Sequence, residues 1–273
     1  MNSRVWTASG TVLLVFLVLG LVLGPVLFIV QMSVRSGLEA FRMPPTLVFS
    51  PTLQNYVALL EGKFVRSLMN STVTATSTTV LALLLGVPAA YAFSRARVRA
   101  QGLVSLWTLT TRMAPPIAFG IPFFLIYKDL GLIDTRLGLV IIYLTFNLSL
   151  VIWMMRAFFD GVPRSLEEAA YIDGAGVTAA FLRIALPLSA PGLATTAIFT
   201  FLLAWNDFFY SLLLTRSEAV TAPVAIVNFM NYESWEWGKV AAAATMIMLP
   251  VVALSVVVRK YLVRGLTAGA VKG

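Results

Sequence analysis

The 273-residue chain is 59% hydrophobic and only 12% charged, carries a formal net charge of +8, and contains neither cysteine nor histidine. That charged share is about half of what a soluble domain carries, so the composition is that of a membrane protein. Without Cys or His there is no disulfide, thiolate metal site, cysteine nucleophile or Ser-His-Asp triad; neither catalytic nor metal-ligating residues are expected. The basic excess lies mostly in short loops, which points to membrane orientation rather than nucleic acid.

In chain order, Arg4 precedes an apolar run from Thr11 to Val30. It is longer than a signal-peptide core and lacks a small-residue cleavage site, so it reads as a retained first span. Six segments, 11–31, 69–93, 103–127, 137–158, 188–214 and 240–258, approach the roughly 20 apolar residues that cross a bilayer. Unbroken apolar runs exclude a β-barrel, which leaves an all-α fold of six transmembrane helices in one domain, 1–273. The loop "SRARVRAQ" at 94–101 has three Arg and no acid, whereas "KDLGLIDTR" at 128–136 balances to zero. By the positive-inside rule both termini are cytoplasmic, and so is the segment between spans four and five.

The outer loop 32–68 is the longest connection, and "SPTLQNYVALLEGKFVRSLMNS" predicts a short amphipathic helix leading into span two. Asn70-Ser71-Thr72 matches a glycosylation triplet, but a polar helix start is the plainer reading. The hydroxyls from Ser71 to Thr79 are expected on carbonyls one turn back. No internal repeat is evident.

Polar residues inside spans are functional candidates by default. They are Arg112, near the helix-breaking Pro115 and Pro116, Asn147 in span four, and Asn206 and Asp207 in span five. Counting residues from the inner membrane face puts Arg112 and Asp207 about 15 Å apart in depth, which argues against a direct pair. Each is a candidate for the substrate path; the alternative is a hydrogen bond between packed helices.

The segment "LEEAAYIDGAGVTAAFLRIALPL", 166–188, interrupts two apolar stretches. Pro163 bars continuation of span four, and Ser165 with Glu168 fits a capping box that starts a helix at Leu166. Gly174 and Gly176 are expected to end it, Thr178 to cap a second short helix over 179–185, and Pro187 to begin the turn into span five. Ala169 and Ala170 offer a low surface to a partner's groove, Leu166, Tyr171 and Ile172 apolar contact, and Glu167, Glu168 and Asp173 solvation. The alternative is a hairpin that merely links two spans. A DNA-reading helix pair fails on charge, because 166–182 has no Lys or Arg.

"EAAYIDGAGVTAAFLRIALP" resembles the EAA signature of ABC-importer permeases, E-A-A, three residues, G, nine residues, I-x-L-P, matched by Glu168, Ala169, Ala170, Gly174, Ile184, Leu186 and Pro187. The stretches 143–176, 204–215 and 262–273 are similar to the carbohydrate-uptake branch, the MalG-like subunit, and the likeness covers essentially the whole chain. The resemblance implies a MetI-like type I importer fold in a bacterial plasma (inner) membrane. It makes the EAA hairpin a coupling helix docked on a cytoplasmic ATPase, and it carries the tail 265–273, with Gly269 and Ala270, to the ATPase interface. It also implies a second, MalF-like permease, a homodimeric MalK-like ATPase and an external sugar-binding protein. The chain lacks a G-x-x-x-x-G-K-[ST] loop, so ATP and Mg belong to the partner and no cofactor is expected here. Trp205, Phe208, Phe209 and Tyr210 could stack on a sugar ring, but an outer aromatic belt is the simpler reading. Other readings are an importer for glycerol phosphate, a polyol or a polyamine, an ion-coupled secondary transporter, and a structural assembly subunit.

Overall fold

The structure, a computed structural model, describes residues 3–40, 48–95, 110, 115–230 and 236–270. The described residues form helices and turns, with no β-strand among them. In chain order they are α1 (Ser3–Ser33), α2 (Gly37–Ala40), α3 (Gln54–Glu61), α4 (Phe64–Arg95), a 3-10 turn (Pro116–Phe119), α5 (Gly120–Asp129) and α6 (Arg136–Asp160). Then come α7 (Arg164–Ile172), α8 (Val177–Ala180), a π-helical turn (Phe181–Ala185), α9 (Leu186–Leu188), α10 (Ala190–Trp205) and α11 (Phe209–Leu214). The chain closes with α12 (Ala222–Ala225), a second 3-10 turn (Ile226–Phe229) and α13 (Trp237–Ala270).

Four stretches, Thr11–Ser33, Phe64–Arg95, Arg136–Asp160 and Trp237–Val256, are helices long and apolar enough to cross a membrane. A fifth is formed if Val177–Leu188 and Ala190–Trp205, bent by 77° where they meet, make one span. Part of the expected third span, including Arg112, lies outside the described residues. In α1, Leu13, Leu14, Phe16, Leu17 and Leu21 are all exposed. A helix that is apolar all round and exposed belongs in lipid.

Contacts divide the chain into two compact units, Met1–Arg66 with Ala225–Leu249, and Ser67–Val224 with Pro250–Gly273. In the first, the expected short helix is α3. Its buried Asn55 uses Nδ2 to donate to the carbonyls of Ser33 (2.9 Å) and Arg35 (2.8 Å), which fastens the chain leaving α1. The Arg35 guanidinium lies 4.4 Å over the Phe49 ring.

In the second unit the core gathers Ala82, Val87 and Ala90 of α4, Val151, Met155 and Phe159 of α6, and Ala185 of the π turn. Small residues let backbones approach closely in membrane proteins. At Gly192 of α10 an added Cβ would stand 2.2 Å from the Phe158 ring, so only glycine fits there. The Ser/Thr cluster follows the expectation in part: Thr72, Thr74 and Thr79 donate to carbonyls four residues back at 2.7–2.9 Å, whereas Ser71 Oγ accepts from the Ala222 N–H at 2.9 Å and the buried Thr78 hydroxyl has no partner among the described residues. Asn70 is buried; its Nδ2 donates to the carbonyls of Glu218 and Val220, and its Oδ1 accepts from Arg136 Nε at 2.7 Å. Asn70 lies inside α4, which starts at Phe64, with its side chain consumed by packing.

Span five departs from the expected single helix. It is broken at 206–208, because Asp207 Oδ1 accepts from the backbone N–H groups of Tyr210 and Ser211, both at 3.1 Å, and starts α11 as a new helix. Trp205 and Tyr210 are buried rather than in an outer belt, with Trp205 stacked on Phe201 at 5.5 Å.

Candidate functional site

The EAA segment forms a helical hairpin, but its start differs from the sequence expectation. α7 begins at Arg164 with Pro163 as the extended N-cap (φ −58°, ψ 128°) and no side-chain capping bond, so the Ser165–Glu168 capping box is not formed. Proline already supplies the φ that a first turn needs. Starting earlier also lets Arg164 Nη2 donate to the Ser94 carbonyl at 2.9 Å. The helix ends at Gly174, whose φ of +87° is the left-handed geometry expected of it. Gly176 is extended (φ −78°, ψ 170°) and leads into α8, where Thr178 makes no cap. The second helix therefore starts at Val177, earlier than the 179–185 expected, and its last residues widen into the π turn.

The two neighbouring glutamates of α7 part company. Glu168 and Ala169 are exposed and Ala170 is half-buried. Glu167, expected to be solvated, is only 2% exposed. Its Oε1 accepts from Arg95 Nη2 at 2.6 Å and Nε at 2.9 Å, and its Oε2 accepts from the Tyr91 hydroxyl at 2.6 Å. Arg95 Nη1 donates on to the Phe159 carbonyl (3.0 Å) and to Ser94 Oγ (2.9 Å), which in turn donates to Asp160 Oδ1 (2.5 Å). The Tyr91 ring packs against Phe181 at 4.9 Å and Phe159 at 5.5 Å. One buried carboxylate thus ties the hairpin to the ends of α4 and α6. Burial pushes the Glu167 carboxyl up, but the hydrogen bonds from Arg95 and Tyr91 outweigh it, and the group titrates below its ordinary range.

Between the arms of the hairpin lies a groove of about 510 Å³, with Ala170, Gly174 and Ala179 on its walls and Arg183 and Ile184 at one end. Leu186 packs on the core and Pro187 is exposed. Leu166, Tyr171, Ile172 and Val177 are large apolar side chains left exposed, Ile172 at 87%. Exposed apolar groups clustered on a short helical knob mark an interaction surface.

A second carboxylate, Asp134, sits in the turn between α5 and α6 in left-handed geometry (φ 58°). It accepts from the N–H groups of Arg216, Ser217, Glu218 and Ala219 at 2.9–3.1 Å and from Ser217 Oγ at 3.1 Å. Partial burial raises its carboxyl and these backbone donors lower it well below the ordinary range. Sequence reasoning missed both Glu167 and Asp134.

Of the polar candidates inside spans, Asn147 and Asp207 line one cavity together with Pro116, Tyr143 and Tyr210. Asn206 ends α10 and does not line it. Arg112 lies outside the described residues. Gly269 and Ala270 are the last two residues of α13; their side chains lie outside the described residues.

These features define an apolar, helical, membrane-type subunit with a short helix pair anchored on the ends of α4 and α6. The chain belongs to the family of binding-protein-dependent transport system inner membrane components, whose family model matches residues 82–268. It is 40% identical over 263 residues to the trehalose transport system permease protein SugB of Mycobacterium tuberculosis, covering 94% of this chain and 95% of that one. It is 36% identical over 245 residues to the trehalose/maltose transport system permease protein MalG of Thermococcus litoralis, covering 86% and 88%. Among solved structures, a chain of a bacterial ABC transporter involved in the import of the acidic polysaccharide alginate superposes with a TM-score of 0.77 at 29% identity, covering 95% of this chain and 97% of that one. The family is one of ABC-transporter permease subunits.

Proposed function

We propose that this chain is the permease subunit of an ATP-driven bacterial importer for a sugar or sugar derivative, a single six-helix domain with both termini in the cytoplasm. It forms half of the translocation pathway beside a second, MalF-like permease. A separate homodimeric ATPase binds the ATP and Mg, and an extracytoplasmic binding protein delivers the solute. The chain itself is no enzyme. Residues 165–187 are the coupling hairpin: Glu168, Ala169, Ala170 and the groove beside Gly174 and Ile184 receive the ATPase, and the tail at Gly269 and Ala270 reaches the same partner.

The observation that carries this reading is the division of labour in α7. Glu167 is held by Arg95 and Tyr91, while Glu168, Ala169 and Ile172 face outward. A knob so fixed moves with α4 and α6 as one body when a partner pulls on it, as rigid-body switching requires. The glycine elbow is the test. Gly174→Val forces a β-branched residue to a φ of +87°. The reconstituted complex should keep its permease pair but lose transport-coupled ATPase; full coupled activity removes the hairpin from the mechanism.

A further inference from the structure

The cavity between Pro116, α6 and the break at 206–208 has a volume of about 180 Å³, room for about six waters at ~30 Å³ each. Its polar lining is incompletely satisfied. Asn147 Nδ2 donates to the Tyr143 carbonyl at 2.9 Å, while its Oδ1 has no hydrogen-bond partner among the described residues. The Tyr210 hydroxyl has none either. Both side chains are buried, 4% exposed each. Asp207 spends Oδ1 on the start of α11, and the buried Tyr143 hydroxyl has no hydrogen-bond partner among the described residues. One wall is aromatic, with the Phe146 and Tyr210 rings stacked at 5.1 Å. Unpaired buried polar groups are costly, so they call for water or a ligand.

We propose that this cavity is a subsite for one ring of a neutral polyhydroxylated solute. Asp207 and Asn147 Oδ1 accept from its hydroxyls, Tyr210 donates to it, and the aromatic wall takes its apolar face. The proposal rests on the carbohydrate reading above and adds a contact residue set to it. The mixture of lone acceptors and hydroxyls fits a solute whose groups both donate and accept. An ammonium only donates and would leave the tyrosine protons unused. The volume is below the roughly 300 Å³ at which drug-sized pockets begin, so it suits one ring and not two.

The test uses the complete importer in proteoliposomes, with radiolabelled trehalose, maltose and diacetylchitobiose and with putrescine as the cationic probe. Asp207→Asn keeps the oxygen that starts α11 and removes the charge; Tyr210→Phe removes one hydroxyl and keeps the stack. Expected are transport KM values raised about tenfold in D207N and about threefold in Y210F, with kcat and assembled complex unchanged, as for a lost ground-state contact. Y210F decides alone if D207N does not assemble. Unchanged KM for a transported sugar overturns the subsite and leaves the importer reading standing. Uptake of putrescine instead, or of no sugar in the panel by the wild type, overturns both.

Discussion

Two carboxylates hold this permease together in opposite ways. Glu167 is fixed by side chains: a guanidinium and a phenol reach it from α4, across 72 and 76 residues of sequence. Asp134 is fixed mainly by backbone: four consecutive N–H groups of the 216–219 turn converge on it, and among the described residues no cation pairs with it. The first arrangement depends on charge, the second on conformation. The hairpin is therefore vulnerable at Glu167, Arg95 or Tyr91, whereas the 216–219 turn depends on its backbone shape, on Asp134 and on Asn70, which holds the Glu218 and Val220 carbonyls.

The largest effect is expected at the ion pair. Glu167→Gln leaves Arg95 half-buried without its counter-charge, and loss of one partner from a buried pair costs about 3 kcal/mol or more. Thermal unfolding of the detergent-solubilised complex should register it, and Glu167→Gln with Arg95→Met should recover a large part of the loss. If the double variant is no more stable than the single, the pair is not the anchor. At the other carboxylate, Asp134→Ala removes the acceptor and places alanine at positive φ. With that turn partly exposed, the expected loss is about 1 kcal/mol, and Asp134→Asn, which keeps an oxygen and tolerates this φ, should lose less. An equal loss in Asn and Ala would make the charge, and not the backbone cradle, decisive there. Of similar size is Tyr91→Phe, one neutral-donor hydrogen bond to a carboxylate, at about 1 kcal/mol.

Acidification tests both at once. Each group is depressed below its ordinary value, 3.8 for Asp134 and 4.5 for Glu167. The stability each contributes is fully present above those values and is lost as the pH falls through the lower folded ones. The unfolding temperature should be flat, as far as these two groups set it, above about pH 5 and fall only in stronger acid. Glu167→Gln should flatten part of that fall.

Much of this was legible in the sequence where the cause is local. Gly174 at positive φ, the short helix α3 and the threonines bonded one turn back all follow from residue type and spacing. The role of Glu167 was not legible. It adjoins Glu168, and neighbouring residues on a helix point about 100° apart, so one is buried and the other is not. Nothing in the hairpin itself says which, because the deciding partners, Tyr91 and Arg95, belong to a distant helix end. The capping box failed for a related reason, since Arg164 has a carbonyl of Ser94 to reach and is helical before Ser165. The break in span five did carry a signal, Asn206-Asp207 inside an apolar run, of the kind that starts a helix. It was read as a polar site, and it is also a cap.

The 77° angle between Val177–Leu188 and Ala190–Trp205 has a mechanical consequence. Two arms joined nearly square form a bell crank: a thrust along the axis of the first arrives at the second almost wholly as sideways travel. If the hairpin couples as proposed, a small stroke at one end would part neighbouring rods laterally, with no helix having to stretch, unwind or slide through its own length.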